Sequence, residues 1–309
     1  PSVRENVHVL GGLMGSTGSG KTFSALRLAR GLAGDKRFAV IDTEARRALH
    51  YADSFSFDHG DMQPPFTPDA YLQAILAAEA AGYPVAIVDS MSHEHAGEGG
   101  ILDWHESELA RMAGDDFAKR ERVKFAAWIK PKVAHKKMLS RLLQLRMHLI
   151  LCFRAEPKMK AEKNKDGKIE FVDAGWLPVC VKGLEFEMTF SFLLKHEAPG
   201  VGEPLKLPDP LRACFPAGGV IDEKCGELLA SWSLGGSKQD PAPAAGIAVE
   251  RISESQVADL EALLQETKGN RAIFFKWLKA VHQAERIEDL PVSAYSFVVK
   301  NLEKKRMTS

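Results

Sequence analysis

"GLMGSTGSGKTFSAL", residues 12–26, holds Gly15, Ser16, Thr17, Gly18, Ser19, Gly20, Lys21 and Thr22, which fill the pattern G-x-x-x-x-G-K-[ST] without a gap. Glycines let such a loop curl so that successive backbone N–H groups point at phosphate oxygens, in conformations that a Cβ resists. The helix that follows adds its positive end. The pattern is a phosphate-binding P-loop, in which Lys21 reaches the β- and γ-phosphates as a point charge and the Thr22 hydroxyl ligates Mg²⁺. Both flanks agree: NVHVLGGLM (6–14) suits a buried strand, and FSALRLARGLAG (23–34) has helical spacing with a glycine stop.

Strand, loop and helix set the frame for the rest of the chain. From residue 7 to about residue 234 short β-rich runs alternate with helical stretches, which predicts an α/β fold with a mainly parallel sheet flanked by helices. The core strands expected are 8–14, 38–42, 85–89 and 148–153. A stretch rich in Gly, Pro and Ala, 235–249, reads as a linker. Beyond it, Ser253 and Gln256 form a capping box, and Val257, Leu260, Leu263 and Leu264 give one helix an apolar face. A second helix carries Ile273, Phe274, Trp277, Leu278 and Val281, and a third begins near Ser293. The division expected is a P-loop core over 1–234, a linker over 235–249 and a small C-terminal helical domain over 250–309.

Composition narrows the class. The 309 residues are 45% hydrophobic and 27% charged, ordinary for a globular chain with a sizeable core, and the formal net charge is zero. Any affinity for nucleic acid must therefore come from local patches. No apolar run approaches the ~18 residues of a membrane span and the first residues lack the layout of a signal peptide, so a cytoplasmic protein without a membrane partner is expected. Cys152, Cys180, Cys214 and Cys225 are scattered with no C-x-x-C pair, which favours free thiols over zinc or disulfides.

A nucleotide site needs a second carboxylate for the metal. "YPVAIVDS" (83–90) supplies it: an apolar strand ending in Asp89, at the C-terminal rim where α/β sheets place their ligands. In "SMSHEHAGEGG" (90–100), His93 and His95 flank Glu94, but i, i+2 positions share a face only in a strand and the following residues read as loop. A phosphate-side or interface loop is preferred to zinc there. Residues 119–146 carry Lys119, Arg120, Arg122, Lys124, Lys130, Lys132, Lys136, Lys137, Arg141 and Arg146 against the single acid Glu121, a candidate contact for a phosphate backbone. Phe125 and Trp128 lie within the block and could stack bases, one of them being expected instead as a buried anchor. Lys158, Lys160, Lys163, Lys165 and Lys168 sit in what reads as a hairpin turning at Asp166-Gly167, with a solvated charge run as the alternative.

Several segments together carry a resemblance: GLMGSTGSGKTFSALRLARGL (12–32), IDTEARRALHYAD (41–53), VDSMSHEHAGEGGILDWHE (88–106), AAWIKPKVAHKKMLSRLLQLRMHLILCFRAEPK (126–158) and GLEFEMTFSFLL (183–194). Over roughly 8–234 the chain resembles the short RecA-core ATPases of the Sak type, encoded by tailed phages and prophages and associated with single-strand annealing and recombination. The resemblance implies a RecA-like fold, use of ATP and Mg²⁺, single-stranded DNA as partner, a homo-oligomer, and a bacterial host cell as the setting. It makes Glu44, at the end of the strand after the P-loop helix, the base that activates water, with Glu94 as the competing candidate and a surface pairing with Arg46 or Arg47 as the alternative. It makes Arg154 a sensor of the γ-phosphate, against a structural ion pair, and the segment that follows, with Lys158 and Lys160, a DNA-binding loop. Residues 250–309 more loosely resemble helical modules of other phage recombination proteins, which implies a partner such as a single-strand-binding protein. A nucleotide switch or loader acting on a partner protein, and a P-loop kinase with the lysine-rich segment as its lid, are the rival functions.

Overall fold

The computed structural model describes residues 7–163, 169–235, 251–266, 271–282, 286–290, 294–296, 298–299 and 301–302. The chain divides into two compact units, Ser2–Ser237 and Lys238–Ser309. The expected linker falls almost wholly on residues outside the described set.

In the first unit the elements run β1 (Leu10–Gly15), α1 (Lys21–Ala33), β2 (Phe38–Asp42), β3 (Phe57–Asp61), α2 (Pro68–Ala80), β4 (Val85–Asp89), α3 (Ser92–Ala96), α4 (Ile101–Ala113), α5 (Phe117–Ala127), α6 (Ile129–Leu142), β5 (His148–Lys163), β6 (Ile169–Pro178), α7 (Leu184–Glu187), β7 (Phe190–Leu194), β8 (Gly202–Lys206) and α8 (Glu223–Ser233). The sheet order is β3-β2-β4-β5-β1-β7-β8. Every neighbouring pair from β3 to β7 is parallel, while β8 runs antiparallel to β7 and β6 antiparallel to β5. The fold is α/β with a mostly parallel central sheet flanked by helices, an arrangement compatible with a RecA-like core.

Alternation along the strands sorts the apolar residues into two cores. Leu13, Val40, Ile87 and Ile150 face α1 and α8 with Leu26, Leu28, Cys225 and Leu229. Met14, Ile41, Val88 and Leu151 face α2 and α6 with Tyr71, Ile75, Met138 and Leu142. Thr67 caps α2 by accepting from the Ala70 N–H at 3.1 Å, with Pro68 pre-set at the first helical position. The two ends of the unit are tied together: Val7 N–H donates to the Ser233 carbonyl at 3.1 Å and the Ser233 hydroxyl to the Val7 carbonyl at 2.7 Å.

Three expectations change. The first strand runs from Leu10 to Gly15, so the loop's leading glycine is the strand's last residue. The strand expected at 148–153 continues to Lys163 and forms a hairpin with β6, shifted in pairing between Pro157 and Met159; the turn at Asp166-Gly167 lies outside the described residues. Ser92–Ala96, read as loop, is a short helix closed by the Gly97 N–H donating to the His93 carbonyl at 2.8 Å.

The second unit has α9 (Glu254–Glu266) and α10 (Arg271–His282), with a 3-10 turn at Ile287–Asp289. The capping box is formed: Ser253 N–H donates to Gln256 Oε1 at 3.0 Å and Gln256 N–H to the Ser253 hydroxyl at 3.3 Å. Leu260, Leu264, Phe274, Leu278, Ile287, Leu290, Val298 and Leu302 make its core. The side chains of Ile273, Trp277 and Val281, and residue Ser293, lie outside the described set. Among the described residues no helix is long and apolar enough to cross a membrane.

Candidate functional site

Strand register builds the site. Asp42 pairs with Asp89, Asp89 with Cys152 and Gly15 with Arg154, so β2, β4, β5 and β1 end side by side. These C-terminal ends and the 15–22 loop enclose a cavity of about 470 Å³, lined by Thr17, Gly18, Gly20, Lys21, Thr22, Phe23, Glu44, Arg47, Tyr51, Asp89 and Arg154. Gly18 and Gly20 take φ values of +79° and +83°, left-handed geometry that a side chain would strain. Gly20 then caps α1, whose N-terminus opens onto the cavity.

Two groups from elements far apart in sequence meet here. The Thr22 hydroxyl donates to Asp89 Oδ2 at 2.5 Å. Asp89 is 4% exposed. Burial pushes its carboxyl up to about 6, against the lowering pull of the Thr22 hydrogen bond and of Lys21. Hydroxyl and carboxylate oxygens are what a hard divalent cation takes as ligands. Burial lowers the Lys21 ammonium, with Asp89 and Glu44 pulling the other way. Its Nζ donates to the Ser16 carbonyl at 2.9 Å, folding the side chain back along its own loop.

Glu44 is placed by Asp42, a residue whose role sequence reading passes over. Asp42 accepts from the Glu44 N–H at 2.7 Å and the Ala48 N–H at 3.0 Å, bracing a turn in which Ala45 and Arg46 have φ of +55° and +66°. Non-glycine residues seldom take that conformation unless the surroundings enforce it. Arg154 Nε and Nη2 donate to the two Glu44 oxygens at 2.9 and 2.7 Å, and Arg47 stands 3.8 Å away. Burial raises the Glu44 carboxyl, but Arg154, with His93 and Arg47 adding, outweighs it and holds the group below the usual carboxylate range. The structure thus brings Lys21, Thr22, Glu44, Asp89 and Arg154 together, with Arg154 in an ion pair. Arg154 also borders a second cavity of about 490 Å³ on the other flank of the loop, beside Trp176 and His196.

An aromatic wall completes the main cavity. Phe23 and Tyr51 have ring centroids 5.5 Å apart, and Phe55 stands behind Phe23 at 5.8 Å. Only the proximity of Phe23 to the loop motif hinted at this; Tyr51 arrives through the turn after β2. A larger cavity of about 590 Å³ opens at the other end of β2, around Phe38 and Arg37. Among its lining residues Arg37 is held bidentately by Asp58 and Arg30 by the Ser54 carbonyl, and Asp35, Lys36 and Asp53 also line it.

Glu94 is elsewhere. Its side chain is 1% exposed and accepts from His135 Nδ1 of α6 at 2.9 Å, outside the cavity. His93 Nδ1 bonds the Thr43 hydroxyl at 2.8 Å and its ring stacks on Phe66. No group of three or more His, Cys, Asp or Glu side chains suited to a metal occurs among the described residues.

The basic block divides by partner. Arg120 pairs with Glu106 at 2.7 Å, Lys124 with Glu121 at 3.6 Å and Lys130 with Glu108 at 3.0 Å. Lys132, Lys136 and Lys137 are exposed on α6, and among the described residues no carboxylate lies within ion-pair distance of them. On the hairpin, Lys158 meets Glu156 at 3.4 Å, and the Lys160 side chain lies outside the described set. Trp128 is half-buried: its ring stacks on His105 at 4.0 Å, with the Lys132 ammonium 5.5 Å from its centroid. Phe125 is exposed. No protein-family model matches the chain, and no curated protein matches its sequence.

Proposed function

We propose that this chain is a Mg²⁺-dependent ATPase of RecA-like type that binds single-stranded DNA and promotes annealing or strand pairing in phage recombination. The observation that carries the ATPase reading is the convergence of Lys21, Thr22, Asp89 and Glu44 on one cavity, with Thr22 and Asp89 joined across 67 residues of sequence. The DNA partner rests on the exposed lysines of α6, and annealing on the resemblance in sequence. Assembly of several copies, and a protein partner for the C-terminal unit, belong to the same reading.

The residues take distinct parts. Lys21 leaves the Ser16 carbonyl to meet phosphate oxygens. Thr22 and Asp89 would hold Mg²⁺, which when bound neutralises charge on the phosphates and orients them. Glu44 accepts the proton of the attacking water once its oxygens are free of Arg154. Arg154, released, is available to the phosphate oxygens left negative by the chemistry. Phe23 and Tyr51 offer apolar ring surface to the nucleobase. ATP turnover measured with and without single-stranded DNA tests the reading: stimulation by the strand supports it, and phosphate transfer to an added nucleotide in place of hydrolysis overturns it.

The bidentate grip of Arg154 on Glu44 favours a second reading. A chain in which that pair persists with ATP bound would act as a nucleotide switch or loader, binding without turnover. Tight ATP binding with negligible hydrolysis in the presence of DNA selects it.

A further inference from the structure

α5 and α6 join at Trp128, which has helical dihedrals itself, so the two helices continue one another with little break. Phe125, Ile129 and Val133 recur every fourth residue along this pair and are 86%, 62% and 62% exposed. At ~1.5 Å per residue they stand roughly 6 Å apart in a ridge along the outer surface. Lys132 and Lys136 lie along the same outer face, and Glu121 is the only acid on the two helices. The inner face is fully committed to packing through Pro131, His135, Met138 and Leu142.

A bare basic helix solvates well with lysine alone and has no use for an uncovered phenyl ring. A duplex would meet such a face through phosphates and leave the ring in water. A single strand presents two chemistries at once, negative phosphates and unpaired base faces, and this surface complements both. We infer that the outer face of α5–α6 holds single-stranded DNA by its bases as well as its phosphates, with Phe125 as the stacking platform, the Ile129 and Val133 side chains continuing the apolar track, and Lys132, Lys136 and Lys137 holding the backbone. This rests on the DNA-binding reading above and adds to it the ground on which single strand is told from duplex. Trp128, although aromatic, serves the same surface from beneath by fixing the junction against His105.

The test uses the full chain and three labelled probes of equal length: a thymidine oligonucleotide, the same strand with its bases removed, and a duplex. Phe125 is so exposed that its replacement leaves the packing untouched. Phe125→Ala should weaken the thymidine strand by about 5- to 100-fold at every salt concentration, with the salt slope unchanged and binding of the abasic strand and duplex unaltered. Phe125→Trp should restore it. Replacing Lys132, Lys136 and Lys137 together by Ala should flatten the salt slope by about two for the single strands. If Phe125→Ala binds thymidine strand like the wild type while the triple lysine variant is weakened, the stacking platform is refuted and the DNA reading survives. If the wild type binds none of the probes, both fall. If Phe125→Ala changes the sedimentation of the protein and not its affinity for the strand, the ridge is a contact between copies and the inference is overturned.

Discussion

Arg154 holds Glu44 by both carboxylate oxygens, at 2.9 and 2.7 Å, across 110 residues of sequence. A carboxylate chelated in this way has its best lone pairs occupied by a guanidinium and is a poor acceptor for the proton of water. The pair couples Glu44 to β5, because Arg154 sits at the point where that strand leaves the central sheet and runs on into the hairpin with β6.

The first prediction concerns pH. In Arg154→Gln the guanidinium's pull on Glu44 is lost while burial, which raises the carboxyl, remains. Glu44 must be ionised to act as a base, so the acid limb of the kcat/KM profile, which reports the free enzyme in which Arg154 holds Glu44, should move to higher pH than in the wild type. The wild-type and variant profiles, measured at ATP well below KM, check this; coincident acid limbs would remove Glu44 from the role of base.

Binding and chemistry should separate by residue. Lys21→Ala should weaken ATP binding, whereas Glu44→Gln should bind nearly as the wild type and turn over more slowly by a factor on the order of 10² or more. Glu94→Gln, altering a buried partner of His135 outside the cavity, should lower stability by about 1–3 kcal/mol with turnover changed little. Nucleotide affinity, single-turnover rates and thermal midpoints for the three variants distinguish these roles. A dead Glu94→Gln beside an active Glu44→Gln reverses the assignment.

Acid should destabilise the first unit through His148. The Val9 N–H donates to its Nδ1 at 3.2 Å, which requires the ring nitrogen unprotonated, and burial with the neighbouring His8 takes its pKa down to about 4. The unfolded chain takes up this proton near the ordinary 6.5, so stability from this residue is full above that value and is lost as pH falls toward 4. The loss is bounded at about 3 kcal/mol. Urea unfolding between pH 7 and 4 should show the decline in the wild type and a shallower one in His148→Asn.

Removing the second unit should spare the first. The hydrogen bonds between Val7 and Ser233 close the first unit before residue 237, and its two cores contain no residue beyond 232. A chain ending at Ser237 should keep its DNA-free turnover within about twofold and its thermal midpoint, while losing whatever partner the second unit recruits. Loss of ATP binding in that truncation would show that the tail belongs to the core.

What could be read from sequence was what is local. The loop from Gly15 to Thr22 carries its chemistry in consecutive residues, and Asp89 stands out because an apolar run stops there. The capping box at Ser253 and Gln256 is likewise settled within four residues. Glu44 needed a family likeness, since one acid after a strand resembles any other. The pairing of Glu44 with Arg154, the bracing carboxylate of Asp42 and the wall of Phe23 and Tyr51 depend on which strands lie side by side, and no local pattern encodes that order. β3, with the text FDHGD, lacks the alternation of a half-buried strand because it lies at the edge of the sheet. The five residues of α3 are too few to display a helical period.

β5 has a mechanical consequence that follows from its length. From Arg154 to Lys163 the strand extends nine residues, about 30 Å of arm beyond the sheet. A rotation of only ~5° at the Arg154 end would sweep the far end through roughly 2.5 Å, given that arm. The pairing shift between Pro157 and Met159 puts a joint near the arm's root, close to the fulcrum. A small adjustment beside Glu44, carried rigidly along that arm, would therefore become a displacement close to an atom's diameter at Lys163.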